Sequence, residues 1–316
     1  MILVIGYGYW GEILSKIIIK NGFSIDYIFT SKAKHLARYE GDSEFTKFLP
    51  YHMLFNILAS VASKKSIFIF IASGPAHHFS IISSILPLLL LHLNIYVWCE
   101  KPFMVSQDQF TYFTLLQPLF DSKRFFINYP YILANLNPGI ALRPLSNGIT
   151  DHIINISLFT KNLYVRPHSI ELDFFPHLYL LLREIFDFTP QMLLGVQVLG
   201  KEIKYLFNQK LIHLHLLINS TEIHFNYGIS TNTNSIALTG RKYFSVYDNM
   251  EPIELDFKTL FVLNPVDNNV RKFLSQRIFH HEDLPLIEPD YQKDVFIFSS
   301  DILGQIQRKE TSSTCT

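Results

Sequence analysis

Gly6-Tyr7-Gly8-Tyr9-Trp10-Gly11 fits the pattern G-x-G-x-x-G. Each glycine has a separate physical task. The first permits a tight turn, and the second lets backbone approach a pyrophosphate without a Cβ in the way. The third allows close packing of helix on strand. The helix that follows offers N–H donors and the positive end of its dipole. Taken alone the pattern also describes a glycine-rich turn without a ligand. Its context is more specific: it follows the apolar run Ile2–Ile5 and opens a stretch, Trp10–Lys20, with Ile13, Leu14, Ile17 and Ile18 on one side. Tyr9 and Trp10 therefore fall at the phosphate-binding turn.

The end of the second strand sets the cofactor in such folds, because an acidic residue there bonds the adenosine ribose hydroxyls. Here Ile28-Phe29 is followed by Thr30-Ser31-Lys32-Ala33-Lys34. Two hydroxyls and two lysines, with no carboxylate, would tolerate a 2′-phosphate. NADP is the preferred reading and NAD the alternative.

Three further motifs follow in order. Ile71-Ala72-Ser73-Gly74-Pro75-Ala76-His77-His78 resembles I-A-T-P-x-x-x-H. Cys99-Glu100-Lys101-Pro102-Phe103 reads as C-E-K-P followed by Leu or Phe. Asp173-Phe174-Phe175-Pro176-His177 reads as D-x-x-x-H. With the glycine motif, this ordered set resembles the Gfo/Idh/MocA family, the relatives of glucose–fructose oxidoreductase and inositol dehydrogenase. The resemblance spans residues 1–190 by motif and rests beyond them on a strand-rich pattern.

The resemblance implies a Rossmann domain and a second α/β domain with a large open sheet. It implies hydride transfer between a nicotinamide and a hydroxyl or carbonyl carbon of a sugar, cyclitol or nucleotide-linked sugar. Lys101 would touch both substrate and nicotinamide ribose, with His177 as proton donor or acceptor and Asp173 as its companion. Glu100 would position Lys101 or the cofactor, and Ala72, Ser73, Gly74, Pro75 and His78 would line the cofactor's middle. Pro102 would follow a cis peptide.

Charge arguments support the same residues. Reduction of a carbonyl builds negative charge on oxygen, which an ammonium stabilises and a proton donor quenches. Histidine exchanges protons near neutrality. Asp173 and His177, four apart, share a face if their segment is helical. Each also has a plainer reading: Lys101 a surface lysine before a rigid turn, His177 a packed histidine, Asp173 an N-cap, His78 a structural side chain.

The chain departs from the family pattern in places. Phe175 stands where glycine is common and Leu180 where an acid is common, so Phe174 and Phe175 suggest an apolar wall. Tyr129-Pro130-Tyr131 replaces a nearby arginine, the next being Arg143. Arg166 and His168 are candidates for an anionic substrate group. Two alternatives to a sugar reductase follow: an imine reductase for an apolar heterocycle, resembling thiazolinyl imine reductases, or a non-catalytic dinucleotide-binding sensor or scaffold. Retention of both Lys101 and His177 speaks against the last.

The elements that must hold these residues fall into two groups. Strands are expected at Ile2–Ile5, Ile25–Phe29, Ser66–Ala72, Ile95–Cys99 and Phe125–Asn128, separated by helices, the first ended by Asn21-Gly22. That alternation gives an α/β, doubly wound parallel sheet over residues 1–125. Residues 126–316 read as an α+β domain that binds substrate. Its large, mostly antiparallel open sheet comprises Asp151–Phe159, Met192–Leu199, Leu211–Ile218, Thr221–Tyr227, Ser235–Leu238, Tyr243–Val246 and Ile253–Phe257. Helices are expected at Asp173–Phe186, Asn269–Arg277 and Val295–Gln307, with a frayed tail at Lys309–Thr316. An open sheet of this kind suits a homo-dimer or homo-tetramer.

Composition bounds the rest. Of 316 residues, 48% are hydrophobic and 17% charged, enough for large cores. Lys+Arg and Asp+Glu are both 27, which gives no electrostatic case for nucleic acid or a membrane surface. The two cysteines, Cys99 and Cys315, form no ligand spacing, so no metal site is expected and a reduced, cytoplasmic setting is. No targeting segment is read at the start. Phe79–Trp98 imitates a membrane span but carries Ser80, Ser83, Ser84, Pro87, His92 and Asn94. It reads as a buried helix, kinked or divided at Pro87, followed by a buried strand. No serine-nucleophile, P-loop or zinc-protease motif is present.

Overall fold

The structure is a computed structural model. It describes residues 1–31, 46–101, 103, 113–128, 153–160, 170–184, 186, 188–206, 209–229, 243–248, 251–253, 265–278 and 289–313. The chain packs as two compact units, one formed by Met1–Pro130 with Asn264–Gln292 and the other by Tyr131–Leu263 with Lys293–Thr316. The first unit thus recovers a segment from far along the chain, which the division after residue 125 did not contain.

In the first unit, β1 (Ile2–Ile5) leads into α1 (Tyr9–Lys20), and β2 (Tyr27–Phe29) into β3 (Lys47–Leu49) and α2 (Leu54–Val61). Then come β4 (Ile67–Ile71), α3 (Pro75–Leu91), β5 (Ile95–Glu100), α4 (Phe113–Asp121) and β6 (Phe125–Asn128). The strands form one sheet in the order β3-β2-β1-β4-β5-β6, and every pairing is parallel. The order reverses between β1 and β4, the point at which doubly wound sheets bind ligands. The strands are apolar because both faces are covered: β1, β4 and β6 are buried throughout.

α1 ends as its sequence indicates. Asn21 N–H returns to the Ile17 carbonyl at 3.1 Å, and Gly22 takes φ +85°. α3 runs unbroken through Pro87. Pro87 and the residue whose carbonyl it orphans, Ser83, are both exposed, so water can satisfy that group and the helix need not divide. At its other end Arg124, nearly buried, donates from Nη1 to the Leu89 and His92 carbonyls at 2.6 and 2.9 Å. The guanidinium thus closes the helix where terminal carbonyls lack partners. Among the described residues, no helix is long and apolar enough to cross a membrane.

The returning segment forms α7 (Pro265–Ile278). Its Phe273 ring sits 5.5–6.0 Å from those of Phe68, Phe70, Trp98 and Phe126. Val270 and Leu274 complete the seal.

The second unit holds β7 (Ile153–Thr160), α5 (Ile170–Glu184), α6 (Pro190–Leu194), β8 (Gln197–Leu206), β9 (Gln209–Ile218), β10 (Thr221–Ile229), β11 (Tyr243–Asp248), β12 (Glu251–Ile253) and α8 (Pro289–Ser313). Its sheet runs β12-β11-β7-β10-β9-β8. It is antiparallel except between β7 and β10. Two expectations are corrected. Met192–Leu194 is a helical turn, because Pro190 opens it and the Thr189 hydroxyl accepts from Met192 N–H at 3.3 Å. Lys309–Ser313 is helical, continuing α8, with Lys309 Nζ bonded to the Leu199 carbonyl at 3.0 Å. The predicted strand Ser235–Leu238 lies outside the described residues. In β9 and β10 buried and half-exposed residues alternate. One face packs on α5 and α8 through Phe174, Phe175 and Gln305; the described side chains of the other are half-exposed.

Candidate functional site: a dinucleotide cradle at the strand crossover

Register places the candidate residues on one edge of the first unit. Ile5 pairs with Ile71, and Ile71 with Cys99, so β1, β4 and β5 end flush. The turns after β1 and β4 carry Gly6–Gly11 and Ala72–Pro75, and β5 ends on Glu100 with Lys101 directly after it. With neighbouring strands about 4.8 Å apart, the glycine turn and Lys101 begin roughly 10 Å from each other across the same edge.

The two turns at the crossover touch. Gly6 has φ +94°, and a Cβ there would lie 2.5 Å from the backbone of Ser73. Both the conformation and the approach of the second turn require glycine. A Cβ on Gly11 would meet the Gly6 carbonyl, so this residue seats α1 against the turn. Gly8 is different: no atom of the described residues lies within 4 Å of where its Cβ would be, and its φ of −92° is open to any residue. Among the described residues, nothing requires glycine at 8. A ligand approaching the backbone of the α1 N-terminus would, and α1 has no side-chain cap to compete with one. The Ser73 hydroxyl adds a second sign: it is buried at this turn with no protein hydrogen-bond partner. These residues fit a dinucleotide.

Other predicted residues are placed as follows. Tyr9 and Trp10 are exposed on the first turn of α1, their rings 5.9 Å apart. Thr30 is buried and its N–H bonds the Leu49 carbonyl at 3.0 Å, so the exposed reading position at the end of β2 is Ser31. Lys32 and Lys34 lie outside the described residues. Gly74 and Pro75 open α3. His78 is fully buried with Nε2 2.7 Å from the Ser73 carbonyl. A carbonyl only accepts, so Nε2 carries the proton and His78 holds this turn in shape.

Glu100 is the hub of a network the sequence did not reveal. Its Oε1 accepts from Trp98 Nε1 at 3.2 Å and Asn128 Nδ2 at 2.9 Å, while Asn128 Oδ1 accepts from Asn269 Nδ2 of α7 at 3.1 Å. Burial pushes the Glu100 carboxyl above its ordinary range, with the two donors and the Lys101 charge opposing that shift. Lys101 is half-buried directly after this hub. Cys99 is buried, and burial drives its thiol well above its ordinary range, so it is no nucleophile.

The remaining candidates belong to the second unit. His177 is buried on α5, a helix whose described side chains from Phe174 to Leu182 are all buried. Asp173 lies on the same helix one turn earlier, but its side chain is outside the described residues, as are Arg143, Arg166, His168 and Pro102. Phe174 and Phe175 pack on Tyr227 with ring centroids 5.6 and 5.9 Å away and are fully buried. They are core, which removes the argument for an apolar substrate wall.

Solved structures match this architecture. WlbA dehydrogenase from Thermus thermophilus, in complex with NAD and UDP-GlcNAcA, matches with a TM-score of 0.61 at 13% identity, over 95% of this chain and 93% of that one. A Gfo/Idh/MocA family oxidoreductase from Vibrio cholerae gives 0.54 at 11%, over 98% and 99%. The chain has the fold of the Gfo/Idh/MocA oxidoreductases. A dehydrogenase (MviM) from Clostridium difficile gives 0.59 at 15%, over 98% of each chain. No protein-family model and no curated protein matches by sequence. The Gfo/Idh/MocA architecture is thus carried here by core pattern and turn chemistry at very low identity.

The second unit also assembles a cluster that sequence reading missed. His215, Glu222 and His224 bring their donor atoms within 4.8 Å of one another on the half-exposed face of the sheet. The only signal was two period-2 runs, His213-x-His215 and Glu222-x-His224-x-Asn226, facing across a tight turn.

Proposed function

We propose that the chain is an NAD(P)-dependent oxidoreductase acting on a hydroxyl or carbonyl carbon of a sugar or nucleotide-linked sugar. The observation that carries this reading is the crossover at Gly6 and Ser73, with open space at Gly8 and Lys101 on the same edge. When bound, the nicotinamide supplies or accepts a hydride. Gly6, Gly8 and the first turn of α1 would hold its pyrophosphate, and the Ser73 hydroxyl would bond it. The absence of a carboxylate after β2 favours NADP.

Lys101 would hold its ammonium beside the reacting oxygen, where developing negative charge is stabilised. Glu100, fixed by Trp98 and Asn128, would set the direction of the following Lys101 backbone. His177 would exchange the proton and Asp173 would orient it or a substrate hydroxyl. The bound UDP-sugar derivative of WlbA supports a nucleotide-linked sugar as the substrate class. Self-association as a homo-dimer or homo-tetramer through the second sheet belongs to the same reading.

The test is turnover of nucleotide-sugar ketones with NADPH by the purified chain. Lys101→Ala should keep NADPH affinity within about threefold while kcat falls by about 10²–10⁴. Turnover within a few-fold of the parent, with NADPH affinity intact, removes Lys101 from the mechanism. Failure to bind either nicotinamide cofactor ends the proposal.

A further inference from the structure

The half-exposed face of the second sheet carries side chains that hydride transfer does not use. His213 and His215 lie on β9; Glu222, His224 and Asn226 lie on β10. In register, His215 stands opposite His224 and His213 opposite Asn226. His215 Nε2 is 3.2 Å from Glu222 Oε2, and His224 Nε2 is 3.7 Å from the same oxygen. A tetrahedral metal with ligand bonds of about 2.0–2.1 Å keeps its donors about 3.3 Å apart. Two of the three separations already stand near that spacing, and all three atoms lie within 4.8 Å of one another.

The hydrogen bonds around them orient one ring. Asn226 Nδ2 donates to Ser157 Oγ at 3.4 Å, which turns its Oδ1 toward His213 Nδ1, 2.8 Å away. An amide oxygen only accepts, so His213 carries its proton on Nδ1 and presents a lone pair at Nε2. That lone pair accepts from His224 Nδ1 at 3.3 Å. His224 in turn presents its own lone pair at Nε2, toward a carboxylate oxygen. Two acceptors aimed at one another call for a cation between them. A ligating histidine whose other nitrogen is held by a hydrogen bond is the usual arrangement around protein-bound zinc.

We propose that His215, Glu222 and His224 form a binding site for a divalent transition-metal ion of the zinc type, with His213 and Asn226 as the residues that fix the tautomer. All three ligands are partly exposed, so the ion enters from solvent and keeps a position for water. On binding, the proton on His215 Nε2 moves to Nδ1 through solvent, and Nε2 becomes a ligand. The site is separate from the dinucleotide cradle and does not depend on it.

The experiment uses the full chain stripped with a chelator and titrated with Zn²⁺ by calorimetry, and with Co²⁺ by visible absorption. The parent should bind one equivalent that His224→Ala and Glu222→Gln each lose or weaken at least tenfold. Asn226→Ala, which frees the tautomer, should weaken binding by about tenfold. Zinc should raise the melting temperature of the parent reversibly, and not that of Glu222→Gln. Glu222→Gln changes a half-exposed side chain, so it reports even if the histidine variants misfold. A parent that takes up no zinc or cobalt overturns the proposal. So does a His215→Ala/His224→Ala double variant, folded by circular dichroism, with the parent's stoichiometry and affinity.

Discussion

At the scale of single residues, the three glycines of the first turn answer to different physical demands, and substitutions separate them. Gly6→Ala places a side chain at positive φ and against the Ser73 backbone. It should cost about 1–3 kcal/mol or more of stability, visible as a lower midpoint in urea. Gly8→Ser meets no protein atom and puts a good N-cap residue on α1. Its stability should match or exceed the parent, while NADPH affinity falls at least about tenfold, or 1.4 kcal/mol. Unchanged affinity in Gly8→Ser would show that nothing approaches this backbone. Glu100 gives a pH signature. Its pKa is raised on folding, so the folded state binds more protons than the unfolded state above the ordinary carboxylate range. Stability from this group is present at low pH and is lost as pH rises through its unfolded and then its raised folded value. Glu100→Gln keeps an acceptor for Trp98 and Asn128 and removes the titration. The variant should gain on the parent as pH increases from 4 toward about 7 in chemical melts. A pH-independent gap would refute the desolvated-carboxylate reading.

At the scale of elements, α3 shows how a helix with a proline inside stays whole. Pro87 faces solvent, and Arg124 from the start of β6 closes the far end. Arg124→Met keeps most of the apolar stem but leaves the Leu89 and His92 carbonyls without these donors. Hydrogen bonds from charged groups are worth about 1.5–3 kcal/mol each in net terms. A loss near that of one such bond is expected, with amide exchange quickening first near residues 88–92. Exchange that quickens uniformly along α3 would assign the effect to packing instead. The half-exposed sheet face follows the same logic of position. Period-2 alternation buries Ile212, Leu214 and Leu216, and sends His213 and His215 the other way.

At the scale of the molecule, the first unit is not a contiguous stretch. It closes only when α7 returns and places Phe273 among four aromatic rings, with Asn269 bonded to Asn128 and Asp267 to Lys20 and Asn21. A fragment ending at Pro130 would leave that aromatic face open to water. Deleting a buried phenylalanine alone costs about 3–5 kcal/mol, a large part of the stability of an ordinary domain. Residues 1–130 should therefore lack near-ultraviolet dichroism and a cooperative melt, and addition of a 264–292 peptide should restore both. A fragment that melts cooperatively without the peptide would show that the return is dispensable.

Local sequence determined much of this protein. Continuous apolar runs fixed the parallel strands, because only doubly covered strands exclude polar residues from both faces. Asn21-Gly22 fixed the end of α1, and the glycine spacing fixed the crossover turn, since these depend on φ and on neighbours a few residues away. The E-K-P motif placed Lys101 at a strand end. Tertiary structure alone decided what depends on partners distant in the chain. It made Phe174 and Phe175 core rather than a substrate wall, and bonded His78 to the Ser73 carbonyl as a brace for that turn. It also joined Asn269 to Glu100 through Asn128, and drew His215, Glu222 and His224 to one point. Burial and hydrogen bonding are properties of the assembled neighbourhood, and a linear pattern does not specify which distant groups will supply it.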